Sequence, residues 1–241
     1  MKKVLIILSA LFLCLKLHSQ NIQLLYDMRH TAAPALNNSN FPAVSFEYFK
    51  NVDTSGNGSF LMKSDIYFNG IHNNPGQVFT QISQTIKFWK PNVFISSTYS
   101  GGLGVTSSGY GFNIANSFGL GAACLVQLNG LIMSASLCYR VTVFDKRSYD
   151  PQVILYLGKG FLNYRIFMAG SFTFFTANRN QGDVLTSNLK GKKISFYGDP
   201  QFWIRVKSGL SAGSKFMVYY HLLSDDNHIQ VYPSFGMKYQ F

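Results

Sequence analysis

The chain has 241 residues, of which 47% are hydrophobic, 16% aromatic and only 13% charged, with a formal net charge of +11. An average soluble domain carries about 25% charged residues, so this composition speaks against an ordinary soluble domain and against a disordered chain. After Ser19 there is no apolar run of the roughly 18 residues that a membrane helix needs, which excludes a helical membrane protein and leaves a closed sheet as the way to cross lipid. The basic excess favours phosphates of lipopolysaccharide or anionic solutes as contacts; no basic cluster or recognition helix supports nucleic acid.

In chain order, Met1-Lys2-Lys3 forms a short basic region and residues 4–15 are almost wholly apolar. Leu17-His18-Ser19 before Gln20 has the form of a cleavage site, so residues 1–19 read as a signal peptide and 20–241 as the mature domain. Cys14 follows Leu13 where a lipoprotein signal needs a small residue, and belongs to the apolar core of the signal.

About twelve segments then alternate with a period of two, as strands with one apolar and one polar face do. Residues 22–30 set Ile22, Leu24, Tyr26 and Met28 against Gln23, Asp27 and Arg29. Residues 41–49 set Val44, Phe46 and Tyr48 against Glu47. Residues 60–69 set Phe60, Met62, Ile66 and Phe68 against Lys63, Asp65, Tyr67 and Asn69. Residues 77–89 put Gln81, Ser83, Thr85 and Lys87 on the polar face. Residues 92–101 alternate poorly. Residues 114–128 and 131–144 flank Asn129-Gly130, a strong two-residue hairpin signal. Pairing Leu128 with Leu131 puts Cys124 opposite Ala135 and Cys138 opposite Gly121, on opposite faces, which predicts two free thiols.

Further on, residues 151–157 and 161–177 read as strands, the latter with Asn163, Arg165, Ser171 and Thr173 on its polar face. Residues 192–206 share Lys193, Ser195, Tyr197, Asp199, Gln201, Trp203 and Arg205 on one face. Residues 210–220 carry Lys215. The last segment alternates Ile229, Val231, Phe235, Met237, Tyr239 and Phe241 with Gln230, Ser234, Lys238 and Gln240. An amphipathic strand with a terminal Phe resembles the C-terminal signal of Gram-negative outer-membrane β-barrels. Pro200 and Pro233 interrupt strands on the lipid-facing side and predict bulges or an imperfect seam.

Connections at 90–91, 129–130, 158–160 and 207–209 are short, with 50–58 the exception. Those at 31–40, 70–76, 102–109, 145–150, 178–191 and 224–227 are longer. Short turns at one end and long loops at the other are the asymmetry of outer-membrane barrels. The fold class is therefore an all-β, antiparallel, up-and-down transmembrane β-barrel of about twelve strands.

A charge facing lipid is costly, so the polar faces point to the lumen. The lumen-lining candidates are Asp27, Arg29, Glu47, Lys63, Asp65, Tyr67, Arg140, Arg165, Tyr197, Asp199, Trp203, Arg205 and Lys215. Bases outnumber acids. They serve either a pore that favours anions and polar neutral solutes or internal salt bridges that plug a narrow barrel. Asp225-Asp226-Asn227-His228 at a loop tip is the one constellation for water activation or a Ca²⁺ contact; Asp and Asn also form turns there for purely conformational reasons.

Residues 23–27 (Gln-Leu-Leu-Tyr-Asp), 46–50 (Phe-Glu-Tyr-Phe-Lys), Phe88-Trp89, 199–203 (Asp-Pro-Gln-Phe-Trp) and the last strand together resemble a family of small outer-membrane proteins similar to nucleoside-specific, Tsx-like channels. The resemblance covers nearly the whole mature chain and implies a monomeric twelve-stranded barrel with a narrow channel for nucleosides or similar solutes.

The functional expectation is passive diffusion of small polar solutes, with a non-transporting structural or surface-binding barrel as the alternative and a hydrolase using Asp226 and His228 behind both. The expected partners are outer-membrane lipid, lipopolysaccharide, the barrel-assembly machinery and a small polar solute, with no nucleic acid, cofactor or metal.

Overall fold

Alternating side chains can satisfy a lipid exterior only if no strand edge is left open. The computed structural model of the chain meets that condition. It describes residues 20–51, 57–71, 74–105, 109–184, 186–223 and 227–241; the expected signal peptide, residues 1–19, lies outside them. Its strands are β1 (Gln20–Asp27), β2 (Phe41–Asn51), β3 (Gly58–Tyr67), β4 (Gln77–Ile86), β5 (Val93–Val105), β6 (Gly111–Leu128), β7 (Leu131–Thr142), β8 (Ser148–Phe161), β9 (Ile166–Asn178), β10 (Lys192–Gly198), β11 (Gln201–Lys207), β12 (Leu210–Tyr220) and β13 (Gln230–Gln240). A short helix α1 (Arg29–Ala32) follows β1. Among the described residues no helix is long and apolar enough to cross a membrane.

All thirteen strands form one antiparallel sheet that closes on itself through β1 and β13. β10 and β11 are two halves of one stave. Both sit between β9 and β12, β10 pairing with residues 172–178 of β9 and β11 with residues 166–169. The barrel thus has twelve staves. The break falls at Asp199-Pro200. Pro200 has no N–H to give, and the gap is bridged locally: the Asp199 N–H donates to the Ser171 carbonyl at 3.0 Å, and the Pro200 carbonyl accepts from Phe216 at 2.9 Å.

Pro233 leaves the seam intact. Its carbonyl accepts from the Met28 N–H at 2.9 Å, beyond the end of β1. In an antiparallel pair a residue's N–H and C=O face the same neighbour, so the missing donor also points past the end of β1. β13 pairs with β12 from Tyr239 opposite Leu210 to Gln230 opposite Tyr219, and with β1 from Gln240 opposite Asn21 to Ser234 opposite Asp27.

The outer wall is an apolar belt: Leu24, Leu120, Leu137, Ile194, Val206 and Met237 are each more than half exposed. On the opposite faces Gln23, Asp27, Ser96, Ser148 and Asp150 have no exposure at all. The Asn129-Gly130 hairpin forms with both residues at positive φ, 47° and 75°, the type I′ geometry that matches strand twist. Cys124 lies opposite Ala135 and Cys138 opposite Gly121, so the thiols are on different faces and both are free.

Several boundaries differ from the sequence expectation: β4 ends at Ile86, β5 runs on to Val105 and β6 begins at Gly111. The turn placed at 158–160 sits instead at Leu162 to Arg165, where Leu162, Asn163 and Tyr164 all take positive φ. The two glycines stay in β8, and Gly160 makes room for the Tyr164 ring, which a Cβ there would meet at 2.3 Å. The connection at 145–150 is shorter than expected, because β8 begins at Ser148 and carries Asp150 inward.

Closure also depends on backbone approach. A Cβ added at Gly236 would lie 1.9 Å from the Leu24 carbonyl oxygen across the seam, whereas one at Gly111 would meet nothing nearer than 4.0 Å. Gly236→Val is expected to abolish the heat-modifiable gel shift of the folded barrel in detergent, with Gly111→Ala retaining it. A normal shift for Gly236→Val would show that the seam is not closed at this point.

Candidate functional site

The barrel interior divides into a packed side and an open side. On the packed side Leu25, Phe41, Ala43, Tyr67 and Trp203 form a buried apolar cluster with Phe167 against it. Such residues inside a barrel mean that side chains, rather than water, fill that part of the lumen.

Charged groups from opposite walls join across this packing. Lys63 Nζ of β3 lies 2.7 Å from Asp199 Oδ2 at the β10–β11 break and donates to Ser171 Oγ of β9 at 3.2 Å. Asp199 Oδ1 also accepts from the Ser171 N–H and hydroxyl, each at 2.7 Å. Lys215 Nζ of β12 lies 2.9 Å from Asp65 Oδ1 of β3 and 3.2 Å from Ser45 Oγ, and the Ser45 hydroxyl donates to Asp65. Neither ion pair joins neighbouring staves. Each is a strut across the lumen, and each carboxylate has further donors, as buried charges require.

A second network lies nearer the short-turn end. Gln201 donates to Glu47 Oε1 at 2.8 Å and accepts from Trp203 Nε1 at 2.9 Å and from Gln23 at 3.3 Å. Asn21 donates to Glu47 Oε2 at 3.3 Å. Lys238 Nζ stands 4.8 Å from the Trp203 ring centroid and 5.1 Å from that of Phe167. Nearer the long-loop end, Arg29 pairs with Asp27 at 2.8 Å and packs over Phe41, Tyr67 and Tyr232.

The open side is a cavity of about 440 Å³. Its polar lining includes Ser83, Thr98, Ser117, Ser134, Gln152 and Thr173, with Lys63, Tyr156 and Tyr197 where it meets the struts. The lining continues to Ser59, Thr85, Gln127 and Ile132, close to the short turns. Hydroxyls and amides both donate and accept, so these positions can hold uncharged polar groups, while Leu61, Phe94, Ala123 and Ile154 make the rest of the wall apolar.

The structure brings together Asp27 with Arg29; Glu47 with Trp203 through Gln201; and Lys63, Asp65, Asp199 and Lys215 in the struts. Tyr67 and Tyr197 are buried, and Arg140 is buried on β7. Arg165 and Arg205 require correction. Arg165 lies in the turn after β8 and is exposed, and Arg205 is exposed at the end of β11, where pairing slips between Arg205 and Lys207. Alternation in sequence continued past the point where the wall ends. Asp225 and Asp226 lie outside the described residues; His228 is described and exposed.

Sequence reading missed Asp150, placed in a loop, although its inward parity with Gln152 was available. It accepts from Lys192 at 2.7 Å, from Thr176 at 2.8 Å and from Ser148. It also left Gln201 and Gln23 out of the candidates, because a neutral amide carries no sign that it will bridge three staves.

No protein-family model matches the sequence, and no curated protein matches it. Among solved structures the chain is similar to the NanC porin in a rhombohedral crystal form, with a TM-score of 0.55 and 10% identity, covering 92% of this chain and 100% of that one. The likeness is one of fold.

The struts predict a specific stability pattern. Removing one partner of a buried pair leaves an uncompensated charge and costs about 3–5 kcal/mol, whereas replacing both is far milder. Lys63→Met alone is expected to lower unfolding stability in lipid vesicles by about that amount, and Lys63→Met combined with Asp199→Asn to recover most of it. Equal loss in the single and double variants would contradict the strut.

Proposed function

We propose that this protein is an outer-membrane channel through which small polar solutes diffuse passively. The observation that carries the reading is the pairing of two opposite surfaces on one closed wall: an apolar belt outside, and inside a cavity of about 440 Å³ whose lining carries Ser, Thr and Gln among apolar side chains. Lipid selects the first, and a polar solute moving through a wet lumen selects the second. The cross-lumen struts at Lys63–Asp199 and Lys215–Asp65 then form the constriction. The fold-level likeness to a porin is consistent with this reading and says nothing about the solute.

In this reading the belt contacts outer-membrane lipid and lipopolysaccharide, the barrel-assembly machinery inserts the chain, and the barrel acts as a monomer. Nucleosides are the finer candidate. The resemblance to Tsx-like channels suggests them, and Tyr156 and Tyr197 on the cavity wall offer ring faces on which a base could stack. The same struts favour a second reading, a plugged barrel that transports nothing.

Planar-bilayer recording separates the two. Folded protein is expected to give discrete conductance steps, larger in the Lys63→Met/Asp199→Asn variant. A folded barrel that gives no steps in either form is the plugged one. In liposome swelling, uridine entering faster than a sugar of equal size supports nucleosides; equal rates remove them from the reading.

A further inference from the structure

Arg140 differs from four cations that have a carboxylate partner. Arg29, Lys63, Lys192 and Lys215 each have a carboxylate oxygen within 2.9 Å. Arg140 is 8% exposed, and only its Nη2 is satisfied, donating to Ser117 Oγ at 2.7 Å. Its Cζ lies 3.8 Å from the Phe175 ring centroid, which holds the guanidinium flat. Nε and Nη1 are buried with no hydrogen-bond partner. Buried donors are almost always paired, and an unpaired pair on a charged group implies a missing acceptor.

The neighbours of Arg140 on the two flanking strands are Asp150 and Gly119. Asp150 is already engaged by Lys192, Ser148 and Thr176. One carboxylate between two cations leaves a net positive charge. On the other side Gly119, with no side chain, lets Thr98 and Gln152 pack close to the wall. A Cβ there would lie 2.4 Å from Thr98 Oγ1 and 3.6 Å from Gln152 Oε1, so a hydroxyl and an amide converge on the same space. Ser117, Thr98 and Gln152 all line the cavity.

We propose that the stretch of cavity wall formed by Ser117, Thr98 and Gln152 is a subsite for the oxyanion, carboxylate or phosphate, of a small polar solute, with Arg140, bonded to Ser117 behind that wall, as its cation. The proposal deepens the channel reading and rests on its lumen. A guanidinium edge suits an oxyanion because two parallel N–H groups match two oxygens. Nε and Nη1 are shut off from the open lumen, so the anion gains them through a side-chain rotation of Arg140 or Gln152, a fast motion in proteins. The hydroxyls further down the wall then hold the uncharged part of the solute.

Calorimetry on the folded barrel in detergent, with glucose, glucuronate and inorganic phosphate as probes, tests this directly. Wild type is expected to bind glucuronate at least about tenfold more tightly than glucose, equivalent to about 1.4 kcal/mol. Arg140→Gln is expected to erase that preference while keeping the glucose affinity. Gly119→Val, which displaces the Thr98 hydroxyl but keeps the cation, is expected to erase it too, and serves if Arg140→Gln does not fold. Phosphate displacing glucuronate supports a site open to both oxyanions; no displacement supports a carboxylate site. Equal affinity for glucose and glucuronate in wild type, or a preference that survives Arg140→Gln, overturns the subsite. Conductance reports separately: a charge preference without conductance keeps the subsite and removes the channel, and conductance without a charge preference does the reverse.

Discussion

The hydrogen-bonded ladder between β1 and β13 is the constraint on which the rest of the structure depends. In hydrocarbon every backbone donor and acceptor must be paired within the protein, and these two strands, at opposite ends of the chain, supply the pairs that an open sheet would lack. Once the ladder closes, the inside and outside of each strand are fixed by parity. The apolar belt and the polar interior follow together, since a slip of one residue would exchange them. Gly236 shows how tight the join is, because its backbone lies where no side chain fits against Leu24.

Closure creates a problem inside. A barrel of this size turns several charges into a lumen that is too narrow to hydrate them all. The interruption at Asp199-Pro200 resolves part of it. Where the stave breaks, the Asp199 carboxylate takes over the Ser171 N–H and becomes the anchor for Lys63 from the far wall. The proline therefore has a use beyond tolerance: at the local loss of ladder geometry a carboxylate is held where Lys63 reaches it. The second strut, Lys215 with Asp65 and Ser45, packs beside it. Between them the struts divide the interior into a filled side around Trp203 and Phe41 and an open side lined by hydroxyls, amides and apolar side chains. On the channel reading a solute passes next to Tyr156, Tyr197 and Lys63, and Arg140 stands behind that wall, bonded to Ser117.

Much of this was legible in the chain because a strand has a simple period. Tyr197, Asp199 and Trp203 could be assigned to one face across Pro200, since the break does not change parity. The register at Asn129-Gly130 was readable because a two-residue type I′ turn permits only one pairing. Reading failed where periodicity continued into a turn, at Arg165, or was cut short by turn-forming residues that stayed in a strand, at Gly158 and Gly160. It also failed for Gln201, whose importance comes from where it points and not from what it is.

The sequence by itself determined that the chain would form an antiparallel barrel of about twelve staves, which residues would face inward along most of them, and that Cys124 and Cys138 could not meet. Those properties are local, set by alternation and turn chemistry within one or two strands. Only the tertiary structure decided which inward charges would find one another. Lys63 and Asp199 are 136 positions apart and Lys215 and Asp65 are 150 apart. Their meeting depends on barrel curvature, shear and the break at Pro200 acting together. For the same reason no alternation pattern could have shown that Arg140 would be left without a carboxylate. That outcome depends on Lys192 pairing with Asp150 and on the neighbour of Arg140 on the other strand being a glycine.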